Sequence, residues 1–299
     1  MNAVTFENKI TQIFFHIDEF CKSFNAYLES QSIGRKRRRR QPTMSISEIC
    51  TILVLYHLSG FKCFKAFYLR FVMSGNCDKY FKKRLSYNRF IELVPKSLLY
   101  MNAFLMYERC VAGSGIYYAD SKKVVVCHNR RIHSNKVFKG IADRGHCSVG
   151  FFYGFKLHLV IDHLGKLVKF KFTKASMADN NKDHMLSFFA GIAGKMYADK
   201  GYINQTAWSE LMNNGLQIFT KIKKNMKNKL MTLEDKLLLS KRGVIESAFN
   251  LMITQCDLEH SRHRSFVNAF VAMLASLIAY SYLDHLPTIL VDFGNFVTS

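Results

Sequence analysis

Acidic residues are scarce in this chain of 299 residues, which has 22 Asp and Glu against 43 Lys and Arg and a net charge of +21. A charge of this size is more than solubility requires. It predicts a polyanionic partner, with nucleic acid the first candidate and an anionic membrane surface the second. Charge alone does not choose between these two partners.

No Cys-x-x-Cys pair occurs among the eight cysteines, and the start of the sequence lacks the pattern of a secretory leader. The scattered thiols predict a reducing cytosol and positions in the core, and their spacing matches no usual zinc site. A second long hydrophobic segment is also missing. Residues 266–283, which approach the length of a membrane span, are therefore expected to form a buried C-terminal helix packed against a sheet.

Residues 1–110 have the pattern of an all-α domain. A capping box at Ser45–Glu48 precedes hydrophobic residues at helical spacing, and several short helices follow. Such a series is compatible with a helix-turn-helix reader of DNA, although any small helical domain would look similar. A run of six cations is expected to form a solvated arm that contacts DNA phosphates: Arg35, Lys36, Arg37, Arg38, Arg39 and Arg40.

Residues 111–299 have the pattern of an α/β domain. The periodicity predicts a strand at 116–126, a hairpin at 151–173, a strand at 195–199, a helix at 206–213, a strand at 216–222 and helices at 234–252 and 264–283. This order predicts an RNase H-like mixed sheet flanked by helices, preceded by the all-α N-terminal domain. On the hairpin, Lys156 and His158 share one face, and they either line an active-site edge or face solvent.

Two aspartates follow short apolar runs that predict strands. Asp120 comes directly after residues 116–119, and Asp199 comes directly after residues 196–198. A carboxylate in such a position is costly to desolvate unless it is paired or binds a metal ion. Glu246 lies on a predicted helix, and Arg242, four residues earlier, is expected on the same helix face.

Three carboxylates in the order strand, strand and helix can hold two divalent ions that lie about 3.5–4 Å apart. Ligands that are all oxygen suit Mg²⁺ or Mn²⁺ rather than zinc. Taken singly, each of these acids is more often a cap or a surface charge, so the prediction depends on the ordered set. Only 47 residues separate Asp199 from Glu246, which predicts that no large domain is inserted between them.

Four stretches resemble bacterial insertion-sequence DDE transposases, and most closely the IS nine-eight-two group of the IS-four-like set. They are YYADSKKVVVCHNRRIHSNKVFKGIADRG, FFYGFKLHLVID, YADKGYI and RGVIESAFNLMITQCDLEHSRHRS. The resemblance covers residues 45–285. It implies an RNase H-like catalytic core in which Asp120, Asp199 and Glu246 are the first, second and third catalytic acids and the ligands of two Mg²⁺ or Mn²⁺ ions.

The resemblance also implies a double-stranded DNA partner, the terminal inverted repeats of a mobile element, together with a target DNA. Relatives carry a Tyr, Arg, Glu, Lys signature, of which Arg242 and Glu246 match, whereas Leu239 and Ile253 replace the Tyr and the Lys. Besides the arm, the residues expected to contact DNA are Arg130, Arg131, Lys223, Lys224, Lys227, Arg242, His260, Arg262 and Arg264.

The predicted reaction is metal-dependent strand cleavage at the element end, followed by attack of the freed 3′-hydroxyl on target DNA. Because two ends are joined, we expect a homodimer in the end-bound complex, in the bacterial cytosol with the nucleoid and without membrane association. The alternatives are an RNase H-like DNA nuclease, which would cut without joining, and an inactive or domesticated relative that binds DNA as a regulator.

Overall fold

A computed structural model describes residues 3–31, 42–74, 77–78, 80–81, 83–147, 150–221, 231–259 and 263–290. The chain forms two compact units. The first consists of Met1–Arg109 and Met252–Tyr282, and the second of Cys110–Leu251 and Leu283–Ser299. The assignment of a DNA-binding domain to residues 1–110 and of a catalytic domain to residues 111–299 stays a prediction.

The helices of the described residues are α1 (Ala3–Gln31), α2 (Ile46–Leu58), α3 (Phe64–Phe67), α4 (Tyr87–Leu93), α5 (Leu98–Phe104), α6 (Lys182–Phe189), α7 (Gln205–Asn213), α8 (Leu233–Ser240), α9 (Gly243–Thr254) and α10 (Phe266–Tyr280). The strands are β1 (Ile116–Cys127), β2 (Asp143–Cys147), β3 (Gly150–Asp162), β4 (Leu167–Lys174), β5 (Gly194–Ala198) and β6 (Leu216–Thr220). Helices α3 and α5 continue as π-helical turns, and α4 continues as a 3-10 helix.

The first unit is helical, and α2 lies in its core. The predicted capping box starts this helix: the Glu48 amide donates to Ser45 Oγ at 3.1 Å, and the Ser45 amide donates to Glu48 Oε2 at 2.6 Å. These two bonds satisfy amides that a helix start leaves without partners. Ten of its residues are buried, so α2 is covered on most of its sides.

Helix α10 completes the first unit. Ten of its residues are buried, as predicted for the hydrophobic segment near the C-terminus. The prediction that this helix packs against a sheet was wrong, since α10 packs against α2 and α5 of its own unit. A helix that is apolar on nearly all sides needs cover all round, and neighbouring helices provide it. No helix of the described residues combines the length and the apolar character needed to cross a membrane.

In its described residues, the second unit contains one mixed sheet of six strands. Strand β1 pairs in parallel with β5, which pairs in parallel with β6. The long strand β3 pairs antiparallel with β1 along one edge, and its other edge is shared by β2 and β4. The sheet and the helices around it confirm the predicted fold class, an RNase H-like α/β domain preceded by a helical region.

Side chains alternate between the two faces of this sheet, and each face has its own helices. Ala119 and Ala198 lie in a core with buried residues of α6 and α7. Tyr118 and Tyr197 point to the opposite face, where the Tyr118 hydroxyl donates to the carbonyl oxygen of Leu238 on α8 at 3.3 Å. Asp120 follows the alternation of Tyr118, so its side chain belongs to the face that α8 covers.

The structure differs from the sequence prediction in three elements of this unit. Strand β2 was not predicted, because Arg144, Gly145 and His146 show no apolar alternation on this edge strand. Helix α6 was also not predicted, although Asn181 caps it and its buried residues repeat at helical spacing. The single helix predicted over 234–252 is broken, since α8 ends at Ser240 and α9 starts at Gly243.

Candidate active site

Asp120 and Asp199 take equivalent positions on neighbouring parallel strands. The last paired residues of β1 and β5 are Ala119 and Ala198, and the next residue on each strand is an aspartate. One step earlier Tyr118 and Tyr197 are paired, with ring centroids 5.6 Å apart. Because alternation returns the side chain to the same face after two residues, both carboxylates lie on the face of these tyrosines.

The third acid, Glu246, is connected to Asp120 through Arg242. Arg242 precedes α9, and Glu246 lies in the first turn of that helix. One guanidinium nitrogen, Nη1, lies 3.2 Å from Asp120 Oδ2, and the other, Nη2, lies 2.7 Å from Glu246 Oε1. The expected contact between Arg242 and Glu246 is present, although Arg242 lies in the turn before α9 and not on the helix itself. The contact with Asp120 crosses 122 positions of sequence and could not be predicted.

The pKa of the Asp120 carboxyl is raised above its usual value. Burial raises its pKa to about 6, against the opposing effects of the Ser121 amide, which donates to Oδ1 at 2.8 Å, and of Arg242. The negative charges of Asp199 and Glu246 raise the pKa further. Asp120 is therefore close enough to Asp199 and to Glu246 to feel their negative charge, and a cation beside it relieves that repulsion.

The acids have the ligand chemistry for Mg²⁺ or Mn²⁺, since all of their donors are carboxylate oxygens. Within the part of the chain that the structure describes, no three acidic, histidine or cysteine side chains form a group that could hold a metal ion. Arg242 contacts two of the three acids. Joint ligation by Asp120, Asp199 and Glu246 would thus require these side chains to rearrange.

Comparison with known families identifies the part of the chain that carries these acids. A family model described as a transposase DDE domain matches residues 111–266, which is more than half of the chain. The chain belongs to the DDE transposase family. The matched residues include all three acids and the sheet that carries the two aspartates. No curated protein matches the chain.

A second polar cluster lies in this DDE domain on the other face of the sheet. His158 on β3 pairs in register with Ser121, the residue after Asp120, and is fully buried. Its Nδ1 lies 3.3 Å from the Tyr202 hydroxyl, and its Nε2 lies 2.9 Å from the Thr173 hydroxyl. Tyr202 belongs to the turn that follows Asp199, and Ser121 lies beside its hydroxyl. The cluster therefore connects the segments that carry both aspartates.

His184 and Asp179 extend the cluster. His184 Nε2 lies 3.3 Å from His158 Nδ1, and the other ring nitrogen of His184 is buried and has no hydrogen-bond partner among the described residues. Lys156 donates to Asp179 Oδ1 at 3.1 Å.

Of the two alternatives for Lys156 and His158, exposure to solvent is wrong. His158 packs against His184 and Phe188 of α6, which the sequence analysis missed. The Lys156 side chain is 15% exposed and also donates to the carbonyl oxygen of Met177.

Low pH is expected to destabilise the DDE domain because two of its buried histidines resist protonation in the folded state. Burial lowers the pKa of His158 to about 3 and that of His184 to about 4, from about 6.5 in an unfolded chain. Below pH 6.5 the unfolded state binds protons that the folded state does not bind, so stability falls with the pH. The raised pKa of Asp120 has the opposite effect, because it stabilises the folded state as the pH falls. The effect of the histidines is therefore seen in the difference between a histidine variant and the wild type.

Between pH 7 and pH 5, His184→Gln is expected to lose about 2 kcal/mol less stability than the wild type. Urea unfolding at each pH, followed by the fluorescence of Trp208, measures this difference. Trp208 is the single tryptophan and packs against the core of this unit. The control is His133→Gln, which replaces an exposed histidine. Equal pH sensitivity of His184→Gln and the wild type would contradict the explanation.

The residues predicted to contact DNA are only partly described. Arg130 and Arg131 are exposed in a 3-10 turn of the second unit, and Arg264 is exposed in the first unit. Arg242 is engaged with the acids, and its side chain is 20% exposed. The following residues lie outside the described ones: Arg35, Lys36, Arg37, Arg38, Arg39, Arg40, Lys223, Lys224, Lys227, His260 and Arg262.

Proposed function

We propose that this chain is a transposase that cleaves DNA at the ends of an insertion sequence and joins those ends to target DNA. The observation that carries the proposal is the position of Asp120 and Asp199 directly after the paired Ala119 and Ala198. Two neighbouring parallel strands thus end next to an aspartate at the same edge of the sheet, and Arg242 contacts both Glu246 and the first of these aspartates. Membership of the DDE transposase family supports the same chemistry.

In this proposal Asp120, Asp199 and Glu246 hold two Mg²⁺ or Mn²⁺ ions. When bound, such ions activate the attacking oxygen and stabilise the leaving oxygen of a phosphodiester. Arg242 neutralises part of the charge of Asp120 and Glu246 before the ions bind. Once released from Asp120, its planar guanidinium can donate two parallel hydrogen bonds to a phosphate, which is the DNA contact expected from the sequence.

The DNA partners we propose are the terminal inverted repeats of the element and the target DNA. The net charge of +21 and the exposed Arg130, Arg131 and Arg264 support a polyanionic partner. We assign the chain to the IS nine-eight-two group on the four sequence stretches that resemble it. Joining two ends requires two bound ends, so we propose a homodimer in the end-bound complex, acting on DNA in the bacterial cytosol.

Strand cleavage and strand transfer test this function together. Purified protein would be incubated with a labelled duplex that carries the element's own end, a supercoiled target plasmid and Mg²⁺ or Mn²⁺. We expect nicking at the end and joined products, both dependent on the metal. Cutting without joined products would indicate a nuclease. Tight binding without cutting would indicate a regulator, and Ile253→Lys would then be the first change to make, because Lys stands there in the signature.

Tyr202→Phe is expected to slow strand cleavage by about tenfold, because small displacements of reacting groups lower rates strongly. The variant removes only the hydroxyl that contacts His158 and connects the segments after both aspartates. The affinity for the DNA end should stay within about twofold, and the loss of stability should be about 1 kcal/mol. Cleavage rates at saturating DNA and binding isotherms measure the two effects separately.

The matched control for Tyr202→Phe is Tyr153→Phe. Tyr153 is also buried, and its hydroxyl donates to the carbonyl oxygen of Phe138 at 3.1 Å, away from the acids. We expect Tyr153→Phe to lose similar stability and to cleave DNA at the wild-type rate. Equal rates for the two variants would show that the Tyr202 hydroxyl does not position the acids.

A further inference from the structure

An open groove lies in the second unit where β2 pairs with the first part of β3. Its volume is about 640 Å³, within the range of pockets that hold small molecules. Arg144 and His146 of β2 and Phe151 of β3 line it. Nothing in the proposed chemistry of the three acids uses these residues.

Phe151 presents an aromatic surface in this groove. Its side chain is 70% exposed, and the His146 ring lies edge-to-face against it, with centroids 4.9 Å apart. The backbone beneath it is held, because Asn129 Nδ2 donates to the Phe151 carbonyl oxygen at 2.7 Å. A single exposed apolar residue is ordinary on a protein surface, so its surroundings decide its meaning.

Those surroundings are positively charged. Arg144 is exposed and has no ion pair within the described residues, and Arg130 and Arg131 are exposed in the turn that begins with Asn129. The two acids nearest in sequence to the lining are already neutralised. Asp143 lies 3.6 Å from Lys174, and Asp179 lies 3.1 Å from Lys156. Free cations beside an exposed aromatic ring are the features of sites that bind unpaired nucleotides.

We propose that this groove binds an unpaired nucleotide of the DNA, with its base stacked on Phe151 and its phosphate at Arg144. The inference rests on the proposed function, since it specifies the state of the DNA substrate. A base within a duplex has both faces covered by its neighbours, so stacking on Phe151 requires a base that has left the helix.

Strand β3 runs from the groove to the position beside Asp120. Leu159, which pairs with Asp120, is eight residues from Phe151 on this strand. Because a strand rises about 3.4 Å per residue, Leu159 and Phe151 are about 27 Å apart. Stacked DNA rises about 3.4 Å per nucleotide, so the separation corresponds to about eight nucleotides. One DNA molecule can therefore place its cut site at the acids and an unpaired base in the groove.

Binding of two matched duplexes tests this proposal. Both carry 30 base pairs of one sequence and a fluorescent label, and one has an extra unpaired adenine at its centre. We expect the full-length wild-type chain to bind the bulged duplex about tenfold more tightly, the size of one base–aromatic stacking contact. Phe151→Leu, which keeps the apolar volume and removes the aromatic ring, should abolish the preference, and Phe151→Tyr should retain it.

Two further variants separate the causes. Arg144→Gln is expected to weaken binding of both duplexes by several-fold, because a phosphate contact does not depend on base pairing. Met212→Ala, which removes a 60% exposed apolar side chain of α7, should leave both affinities unchanged. Thermal unfolding of each variant checks that it is folded. Because Phe151 is exposed, its replacement should not disturb the buried core.

The outcomes distinguish this inference from the proposed function. Equal affinity of the wild type for both duplexes, or a preference that survives in Phe151→Leu, would overturn the inference and leave the transposase function intact. Failure to bind even the fully paired duplex would overturn the proposed function along with it. The inference is supported if the wild type and Phe151→Tyr bind the bulged duplex about tenfold more tightly than the paired duplex and Phe151→Leu does not. That result would establish the groove as the site of the unpaired base.

Discussion

Replacing Asp199 with asparagine is expected to reduce strand cleavage by about 10³-fold or more. In the proposed site Asp199 holds metal ions that stabilise charge in the transition state by several kcal/mol, and each 1.36 kcal/mol corresponds to tenfold in rate. Asp199 is the N-cap residue of the 3-10 turn that follows it, but its side chain makes no capping hydrogen bond in that turn and is exposed, so the substitution should preserve the fold. Single-turnover cleavage of the end duplex in Mg²⁺ measures the effect.

Asp183→Asn is the matched control for this substitution. Asp183 is exposed in the first turn of α6, in the same unit as Asp199. Its replacement makes the same change from carboxylate to amide outside the proposed site. It should cleave at close to the wild-type rate. Both variants should bind the DNA end with similar affinity, because the proposed metal ions contribute to the cleavage step and not to DNA binding. Wild-type cleavage by Asp199→Asn would remove this residue from the catalytic set.

Replacing Asp235 with alanine is expected to destabilise the second unit by about 3 kcal/mol, because it breaks a buried and hydrogen-bonded charge pair. Asp235 is 4% exposed, and its Oδ1 accepts from the Tyr197 hydroxyl at 2.9 Å and lies 2.9 Å from Lys195 Nζ. Its Oδ2 accepts from the Thr232 hydroxyl at 2.6 Å. These bonds fasten the first turn of α8 to β5, the strand that leads to Asp199.

The pKa of Asp235 agrees with this strong pairing. Burial alone would raise it, but hydrogen bonds from Thr232, Lys195 and Tyr197 outweigh burial and hold the pKa below its usual value. The control is Glu234→Ala, since Glu234 is more exposed and lies 3.7 Å from the same lysine. We expect that variant to lose less than about 0.5 kcal/mol. Urea unfolding followed by Trp208 fluorescence measures both, and equal losses would contradict the ranking.

The sequence was sufficient to predict the elements that carry the acids. Short apolar runs before Asp120 and Asp199 predicted two strands, and the helical spacing of apolar residues predicted the helix that carries Glu246. Each of these inferences depends on local periodicity, which a sequence displays directly. The parallel pairing of Ala119 with Ala198 is what brings the two aspartates together, and the structure supplies it.

The sequence was not sufficient for features that depend on distant residues. The bridge from Arg242 to Asp120 and the buried pair of His158 and His184 join segments that no local pattern relates. The alternation of Lys156 and His158 was visible, but whether their face was covered depended on α6, which was missed. Similarly, the partner of α10 could not be identified, because an apolar helix packs equally well against a sheet or against helices.

The position of manganese in crystals of the protein grown with Mn²⁺ tests the central proposal most directly. Anomalous scattering locates such ions independently of activity. The account predicts manganese bound by Asp120, Asp199 and Glu246, with Arg242 displaced from Asp120. Manganese bound elsewhere, or none at the acids while Arg242 still bridges Asp120 and Glu246, would contradict the assignment of these three residues as the metal site.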